Sequence, residues 1–273
     1  MNDERKVFLI DTSYVVFAKW YSALSWYKMS INRNPDVSQL LDSVVFQNKL
    51  AELFEGSIMR VLHAQGFDDG CIVFAKDCSR HTVWRRSHFE SYKEGRTQNG
   101  NFNSEAFNYI YTHVIPSIIG RRNAVLIGTD GAEADDVIGV IRDHVRERWP
   151  GRPVVIISND NDCIQLVDDN TCVVNLFLQD VGSRRGPLTP RQYLRCRVLS
   201  GDRSDNIPSI VPRCGPKTAA RLVTEHDEDA LAEMYKNTSY ARNDLIMNLR
   251  NTPGELKAEI EMQFAAFDGG GGE

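Results

Sequence analysis

The sequence has no long hydrophobic run. Its first residues, MNDERKVFLIDTS, place charges ahead of an apolar run of only four residues. Such a run is too short for a signal peptide or a membrane-spanning helix. No later run approaches the length of a spanning helix. We therefore expect a cytoplasmic protein with no membrane partner.

Two common cysteine and glycine motifs are also missing. The six cysteines form no CxxC pair and show no zinc-like spacing with the histidines. We expect reduced, mostly buried thiols and no zinc site. The phosphate-binding pattern GxxxxGK[ST] is absent as well, which excludes a Walker-type nucleotide site.

Composition and charge leave the class of partner open. The chain has 273 residues, 42% of them hydrophobic and 25% charged, as is usual for a globular protein. This length suggests one large domain or two unequal ones. The net charge is −5, which neither favours nor excludes an anionic partner.

Short apolar stretches alternate with helical patterns along the first 160 residues. The predicted strands are Lys6–Asp11, Gly70–Asp77, Ala124–Gly128 and Pro153–Asp160. Helical spacing of apolar residues covers 37–63, 104–119 and the segment from EADD to about Trp149. This alternation predicts an α/β fold with a parallel sheet and helices on both faces.

Acidic residues follow every one of these strands. Asp11, Asp77 and Asp160 close three of them, and Glu133, Asp135 and Asp136 come shortly after the fourth. Each group alone is equally well explained as a helix cap or a turn. Ligands of parallel sheets bind beyond the carboxyl ends of the strands, so together these acids predict one acidic pocket.

An acidic pocket of this kind suits hard divalent cations. Magnesium prefers oxygen ligands, and two such ions can activate water and stabilise the leaving oxygen of a phosphodiester. The candidate ligands share a carboxylate and a place near a strand end or in the later GDRSDNIP segment: Asp11, Asp77, Glu133, Asp135, Asp136, Asp160, Asp162, Asp202 and Asp205.

The charges are unevenly distributed. Residues 130–169 carry ten acids and four arginines, whereas 183–221 carry nine bases and two acids. The segment 76–96 adds six bases and three acids. An acidic pocket between two basic surfaces is typical of metal ions that act on a polyanion.

Two stretches have residues suited to nucleic acid. CGPKTAARL offers free backbone N–H groups at a helix start, with Lys217 and Thr218 beside them, although it also reads as an ordinary proline-started helix. SRHTVWRRSHFESYKEGR interleaves aromatic and basic side chains that can stack on bases and bind phosphates. Its alternative interpretation is an amphipathic surface helix.

Taken in order, FLID, VFAKD, EADD, SNDND and GDRSDNIP…GPKTAARL resemble the flap endonuclease or 5′-nuclease superfamily over about residues 6 to 225. The layout is similar to the small phage-type 5′→3′ exonuclease/RNase H enzymes. The resemblance implies a PIN-like (Rossmannoid) core at 1–185 whose parallel sheet has a mixed edge. It further implies a helical arch at about 79–103, a helix–three-turn–helix duplex-binding region at 186–268 and a flexible tail at 269–273.

The resemblance implies a structure-selective 5′-nuclease with two Mg²⁺ or Mn²⁺ ions. Its substrates would be branched, flapped or nicked DNA and RNA–DNA hybrids, as in primer removal. The enzyme would be a monomer that works with single-strand binding or replication proteins, in the host cytoplasm if a phage encodes it.

Individual residues inherit roles from the same resemblance. Asp11, Asp77, Glu133 and Asp135 would serve the first metal with Asp136 nearby, and the other four aspartates would serve the second. Lys93 and Arg96, with Arg85 or Arg86, would steer and polarise the scissile phosphate. The implied DNA contacts are Phe17, Trp84, Tyr92, Arg213, Gly215, Lys217, Thr218 and Arg221. Alternatively, Phe17 is an aromatic residue of the hydrophobic core.

The chain departs from the family pattern at the turn before CGPK. It has PSIVPRCGPK (Pro208–Lys217) where the family commonly reads PGVPGIGPK. Duplex binding should survive this change, but a K⁺ site there is in doubt.

Two other functions share some of these features. A PIN-like single-strand RNase would have the acidic pocket but would not need the GDRSDNIP…GPKTAARL element. A non-catalytic branched-DNA binding protein would be expected to lack some of the carboxylates, yet all nine positions are acidic.

Overall fold

A computed structural model describes residues 5–67, 70–95, 100–211 and 214–269. At its centre lies a five-stranded sheet in the order β3-β2-β1-β4-β5. The strands are β1 (Val7–Asp11), β2 (Cys71–Ala75), β3 (Ala124–Ile127), β4 (Val154–Ile157) and β5 (Thr171–Val174). All four pairings are parallel, so the α/β prediction is confirmed. Among the described residues, the expected mixed edge consists of two isolated antiparallel bridges at β5, Asp168 with Thr171 and Val174 with Asp180.

Eleven α-helical segments surround the sheet in the described part of the chain. They are α1 (Thr12–Ser30), α2 (Val44–Ala64), α3 (Arg85–His88), α4 (Glu105–Tyr109), α5 (Ile115–Ile119), α6 (Ala134–Arg148), α7 (Pro190–Ser200), α8 (Pro216–Glu225), α9 (Glu228–Met234), α10 (Tyr240–Met247) and α11 (Gly254–Gly269). A π-helical turn, Ile110–Val114, joins α4 to α5.

Local capping explains where several helices begin. The predicted helix 37–63 is a 3-10 helix, Val37–Asp42, followed by α2, because Ser43 is extended and caps the Phe46 N–H. Asp11 caps α1 through the Tyr14 N–H. α1 was not predicted, since its apolar residues do not keep to one face: Val16 and Trp20 are buried while Phe17 and Met29 are exposed.

Each face of the sheet builds its own core. Phe8 and Ile10 point to the side covered by α1, α2 and the α4–α5 helix. Val7 and Leu9 point to the side covered by α6 and α11. α11 therefore returns to the sheet, although it lies in the predicted duplex-binding region 186–268.

A third apolar cluster joins α7, α8 and α10. Val83 and Tyr92 from the segment after β2 are part of it, so that segment packs against the C-terminal helices. In the described part of 79–103, the only α-helix is the four-residue α3. Val83 and Tyr92 are buried against α10 and its neighbours, and a helical arch or clamp at 79–103 stays a prediction.

The predicted helix–three-turn–helix falls on α7, the turns at 201–211 and α8. α7 and α8 contribute Leu194, Val198 and Leu222 to the same cluster. Duplex binding by this region stays a prediction. Of the predicted tail, residues 270–273 lie outside the described residues.

The six cysteines, all within the described part of the chain, form no disulfide with one another, and four of them are buried, as predicted. In the part of the chain that the structure describes, no helix combines the length and the apolar character needed to cross a membrane.

Candidate metal centre

Parallel register brings the ends of β1 and β2 to one edge of the sheet. Asp11 is aligned with Ala75, two residues before Asp77. Asp11 accepts hydrogen bonds from Tyr14 N (3.0 Å) and Ser158 Oγ (2.9 Å). Asp77 accepts one from the Ser13 hydroxyl and one from Ala134 N at 2.9 Å. Asp77 thereby ties the start of α1 to the start of α6.

The central feature of this edge is a cluster of three aspartates. Asp135 lies at the start of α6, whereas Asp160 and Asp162 follow β4. One carboxylate oxygen from each lies within 4.8 Å of the others. The turn is held by Asp160, which accepts from Asp162 N at 2.8 Å and whose own N–H reaches Ser158 Oγ at 3.1 Å. An all-oxygen set of this kind fits a hard divalent cation.

The pKa values of these acids reflect crowding of like charges. Burial, followed by repulsion from Asp77, raises the pKa of Asp11 from 3.8 to about 7. Burial and then repulsion from Asp160 raise the pKa of Asp135 well above its usual value. Burial is also the main reason that the pKa of Asp162 rises to about 7, against the opposing effect of Arg197. A bound cation would remove much of this electrostatic cost.

The surroundings of one carboxylate oxygen of Asp162 also suit a metal ligand. Asp162 Oδ1 is buried and accepts no hydrogen bond from any described residue. Arg197 Nη2 lies 2.7 Å from it but without hydrogen-bond geometry. A buried carboxylate oxygen that accepts no well-formed hydrogen bond is suited to a metal ion.

Two basic residues bridge the outer carboxylates. Lys93 Nζ lies 2.6 Å from Glu133 and 3.7 Å from Asp205. Arg197 Nη2 lies 2.6 Å from Asp202 as well as close to Asp162. Asp135 of the first implied set lies close to Asp160 and Asp162 of the second, and the division of the acids between two metals stays a prediction.

Glu133 contacts cations rather than other acids. Burial alone would raise its pKa, but Lys93 and Arg85 hold the pKa below its usual value. Glu133 also accepts a hydrogen bond from the Tyr92 hydroxyl at 2.9 Å. Its carboxylate therefore anchors the 85–93 segment at the edge of the pocket.

Asp136 is placed apart from the metal cluster. Its carboxylate is fully buried and takes two hydrogen bonds from Arg85, at 2.6 and 2.7 Å. The Asp136 carboxylate also accepts hydrogen bonds from the Glu133 N–H, Thr252 Oγ1 and Trp84 Nε1. With all of these donors in place, Asp136 holds α6, α3 and the segment before α11 together.

Three of the aromatic and basic residues of 79–95 lie inside the protein. Arg85 is 3% exposed, and Trp84 and Tyr92 are also buried, so these three do not form the exposed DNA surface that the pattern implied. Their amphipathic spacing instead reflects packing of these side chains in the protein interior. Arg86 is half-buried, and Arg96 lies outside the described residues.

The remaining implied DNA contacts lie at the surface. Phe17 is 43% exposed and packs on Phe102, with ring centroids 4.4 Å apart. Gly215 begins α8 without a side-chain cap, so backbone N–H groups are free for an anion. Lys217, Thr218 and Arg221 are exposed, and Arg221 pairs with Glu225. Arg213 lies outside the described residues.

Sequence reasoning missed several polar residues of the site. Ser13 and Ser158 orient Asp77 and Asp11, and Arg197 holds Asp162 and Asp202. Ser13 follows Asp11 in the DTS triplet and could have been noticed. Arg197 is one of nine bases in its segment, and no local signal distinguishes it.

The fold and the acidic strand ends define a class of metal-binding α/β protein. Comparison with known families shows which family of this class the chain belongs to. Residues 6–192 match the family model described as 5′-3′ exonuclease, N-terminal resolvase-like domain. This match covers more than half of the chain. The chain belongs to the 5′-3′ exonuclease N-terminal domain family.

Individual relatives agree with this assignment. The chain is 30% identical over 260 residues to DNA polymerase I of Streptococcus pneumoniae, covering 89% of this chain but only 27% of that relative. It is 27% identical over 218 residues to a 5′-3′ exonuclease of Buchnera aphidicola, covering 77% of this chain and 71% of the relative.

Solved structures of the bacteriophage T5 D15 protein have the same fold. One crystallised with metal ions aligns with a TM-score of 0.65 at 14% identity, over 96% of this chain and 99% of that one. A second, described as a flap endonuclease complex with DNA and metal ions, aligns with a TM-score of 0.64 at the same identity and coverage.

Proposed function

We propose that this chain is a metal-dependent, structure-selective 5′-nuclease. It hydrolyses phosphodiesters near the 5′ ends of branched, flapped or nicked DNA and of RNA–DNA hybrids. The observation that carries the proposal is the cluster of Asp135, Asp160 and Asp162 at the carboxyl edge of the sheet in a member of this exonuclease family. The T5 flap endonuclease complex with DNA and metal ions supports the choice of substrate.

The cofactor that fits is a pair of Mg²⁺ or Mn²⁺ ions. Asp135, Asp160, Asp162 and Asp11 would hold them, with Asp77 beside Asp11. When bound, such ions lower the pKa of water and neutralise charge on a phosphoryl group. Glu133, Asp202 and Asp205 face Lys93 or Arg197 and would act on the site through those cations.

The chain's own basic residues position the substrate. Lys93 Nζ is held by Glu133 and Asp205 at the edge of the acidic pocket, and its side chain is 19% exposed. From there the ammonium group can donate to a phosphate oxygen of an incoming strand. Arg197 bridges Asp162 and Asp202 and so holds the two carboxylates beside each other.

The start of α8 is the proposed duplex contact. Free backbone N–H groups after Gly215, with Lys217 and Thr218 exposed beside them, suit a backbone phosphate. A K⁺ ion at this turn is a prediction from family resemblance alone. It would make duplex affinity higher in KCl than in NaCl of equal ionic strength, and equal affinities would count against it.

The decisive experiment offers the protein a panel of 5′-labelled substrates: a flap, a nicked duplex, an RNA–DNA hybrid and single-stranded RNA. We expect cleavage of the first three in Mg²⁺ and none in EDTA. Absence of Mg²⁺-dependent cleavage on the whole panel would refute the proposal. Cleavage of single-stranded RNA alone would instead indicate a PIN-like RNase, and binding of the flap without cleavage in Mg²⁺ or Mn²⁺ would indicate a non-catalytic DNA-binding protein.

A further inference from the structure

The loop after β5 presents an exposed apolar tip. Phe177 is 76% exposed and its neighbour Leu178 is 42% exposed. Leu178 also has a left-handed backbone (φ 63°), which is unfavourable for a non-glycine residue. A single exposed apolar residue is ordinary, but two in succession with an unfavourable backbone call for a reason.

Buried Asn175 holds this tip in one conformation. Its Oδ1 accepts from Phe177 N at 2.9 Å and from Gln179 N at 3.0 Å. Its Nδ2 donates to Gln179 Oε1 at 2.8 Å. Asn175 itself is 2% exposed. The tip is therefore built into the fold by an internal hydrogen-bond network.

The same loop is attached to the metal centre. Leu176 N donates to the Tyr14 hydroxyl at 3.1 Å, and Tyr14 N in turn donates to Asp11. Asn175 Nδ2 also lies 3.4 Å from Asn159 Oδ1, in the residue next to Asp160. Two independent connections thus place the loop at the edge of the sheet that carries the aspartates.

Two cations are bonded to the loop or to the residue beside it. Arg60 donates to Leu176 O, and Arg184 donates to Asn159 O at 3.0 Å and to Asn159 Oδ1 at 2.6 Å. Within the described ranges, neither forms an ion pair with an acid. Cations without acidic partners favour an anionic ligand.

We propose that Phe177 stacks on a nucleobase of the substrate while Arg60 and Arg184 bind the neighbouring phosphates. An aromatic ring framed by cations is the usual means of binding an unpaired strand. This inference rests on the proposed function and adds a substrate-binding element to it. The loop would hold a nucleotide beside the scissile position and so favour frayed or flapped ends.

The test compares the full-length protein with Phe177→Ala, Phe177→Trp and Met262→Ala. Met262 is a matched control, because it is 65% exposed and lies on α11, across the sheet from α1 and α2. Affinity for a fluorescent flap is measured by anisotropy in EDTA, where no cleavage is expected. Loss of one stacked base should weaken binding by about 5- to 100-fold in Phe177→Ala.

Two further readouts separate stacking from a general surface effect. Phe177→Trp should bind about as tightly as the wild type, and DNA should quench the added tryptophan fluorescence. Arg60→Ala should reduce the slope of log Kd against log salt by about 0.7–0.9, as expected for one lost phosphate contact. Melting temperatures should stay unchanged, since Phe177 is exposed.

The inference and the proposed function can fail separately. If the wild type binds and cuts the flap but Phe177→Ala binds within about twofold of it, the loop does not contact the substrate, and the nuclease proposal stands. An equal loss of affinity in Met262→Ala would also overturn the inference. A wild type that neither binds nor cuts any substrate would overturn both.

Discussion

Replacing Asp135 by asparagine should stabilise the metal-free protein. One carboxylate oxygen of Asp135 lies within 4.8 Å of one oxygen each of Asp160 and Asp162. Burial and repulsion raise the pKa of Asp135. Asparagine has nearly the same shape and no charge. The variant therefore removes one source of repulsion without opening a cavity.

The size of the effect follows from the neighbouring acids. The pKa of Asp11 and that of Asp162 rise from 3.8 to about 7. One pKa unit corresponds to about 1.36 kcal/mol, so ionising such a carboxyl above pH 7 costs about 4 kcal/mol relative to the unfolded chain. Because the charges are shared in one cluster, we expect Asp135→Asn to add about 2–4 kcal/mol to the free energy of unfolding at pH 8. This corresponds to a melting temperature higher by about 5–10 °C.

The sign of the pH dependence follows from the same values. A carboxyl whose pKa is raised on folding binds more protons in the folded state, so stability falls as the pH rises from about 4 through about 7. In EDTA the wild type should melt at a lower temperature at pH 8 than at pH 5. Asp135→Asn should show a smaller difference between these two pH values.

The assay is thermal unfolding with and without metal. At pH 8, Mg²⁺ should raise the melting temperature of the wild type clearly more than that of Asp135→Asn. Asp130→Asn is the control, because Asp130 is exposed in the loop before α6, and it should behave as the wild type in both buffers. A lower melting temperature of Asp135→Asn in EDTA at pH 8 would refute this reasoning.

Three further variants test other parts of the structure. Arg85→Met should lower the free energy of unfolding in urea by about 3–5 kcal/mol, because it leaves the buried Asp136 charge uncompensated; a variant as stable as the wild type would contradict the role of this pair. Lys93→Ala should slow single-turnover cleavage about 100-fold through loss of a cation that contacts the phosphate, and a loss under about threefold would contradict that contact. Arg152→Ala should release α11 by breaking the buried pair with Asp268, seen as faster hydrogen exchange in α11 than elsewhere, whereas unchanged exchange there would argue against the pair as its anchor.

Most of the sheet could be predicted from the sequence, because buried parallel strands are short apolar runs with acids at their ends. VFLID and VVII each match a strand of the structure. The acidic edge followed from the same pattern, since the carboxyl ends of parallel strands meet on one side. α1 could not be predicted, because its apolar residues surround the helix instead of forming a stripe.

The burial of side chains from the 79–95 segment could not be predicted either. A run of arginines and aromatics has the same appearance whether it faces DNA or a buried carboxylate. Only the packing against α6 and α10 shows that Arg85 binds Asp136 and Glu133. Arg197 was missed for the same reason, since its acidic partners Asp162 and Asp202 come from different parts of the chain.

The most direct test of the metal centre is single-turnover cleavage of a 5′-labelled flap by the double variant Asp160→Asn with Asp162→Asn. The experiment uses Mg²⁺ and enzyme in excess, with DNA affinity measured separately in EDTA. We predict affinity close to that of the wild type and no cleavage above the rate in EDTA. Turnover by the double variant at a rate near that of the wild type would contradict the assignment of these aspartates as the metal ligands.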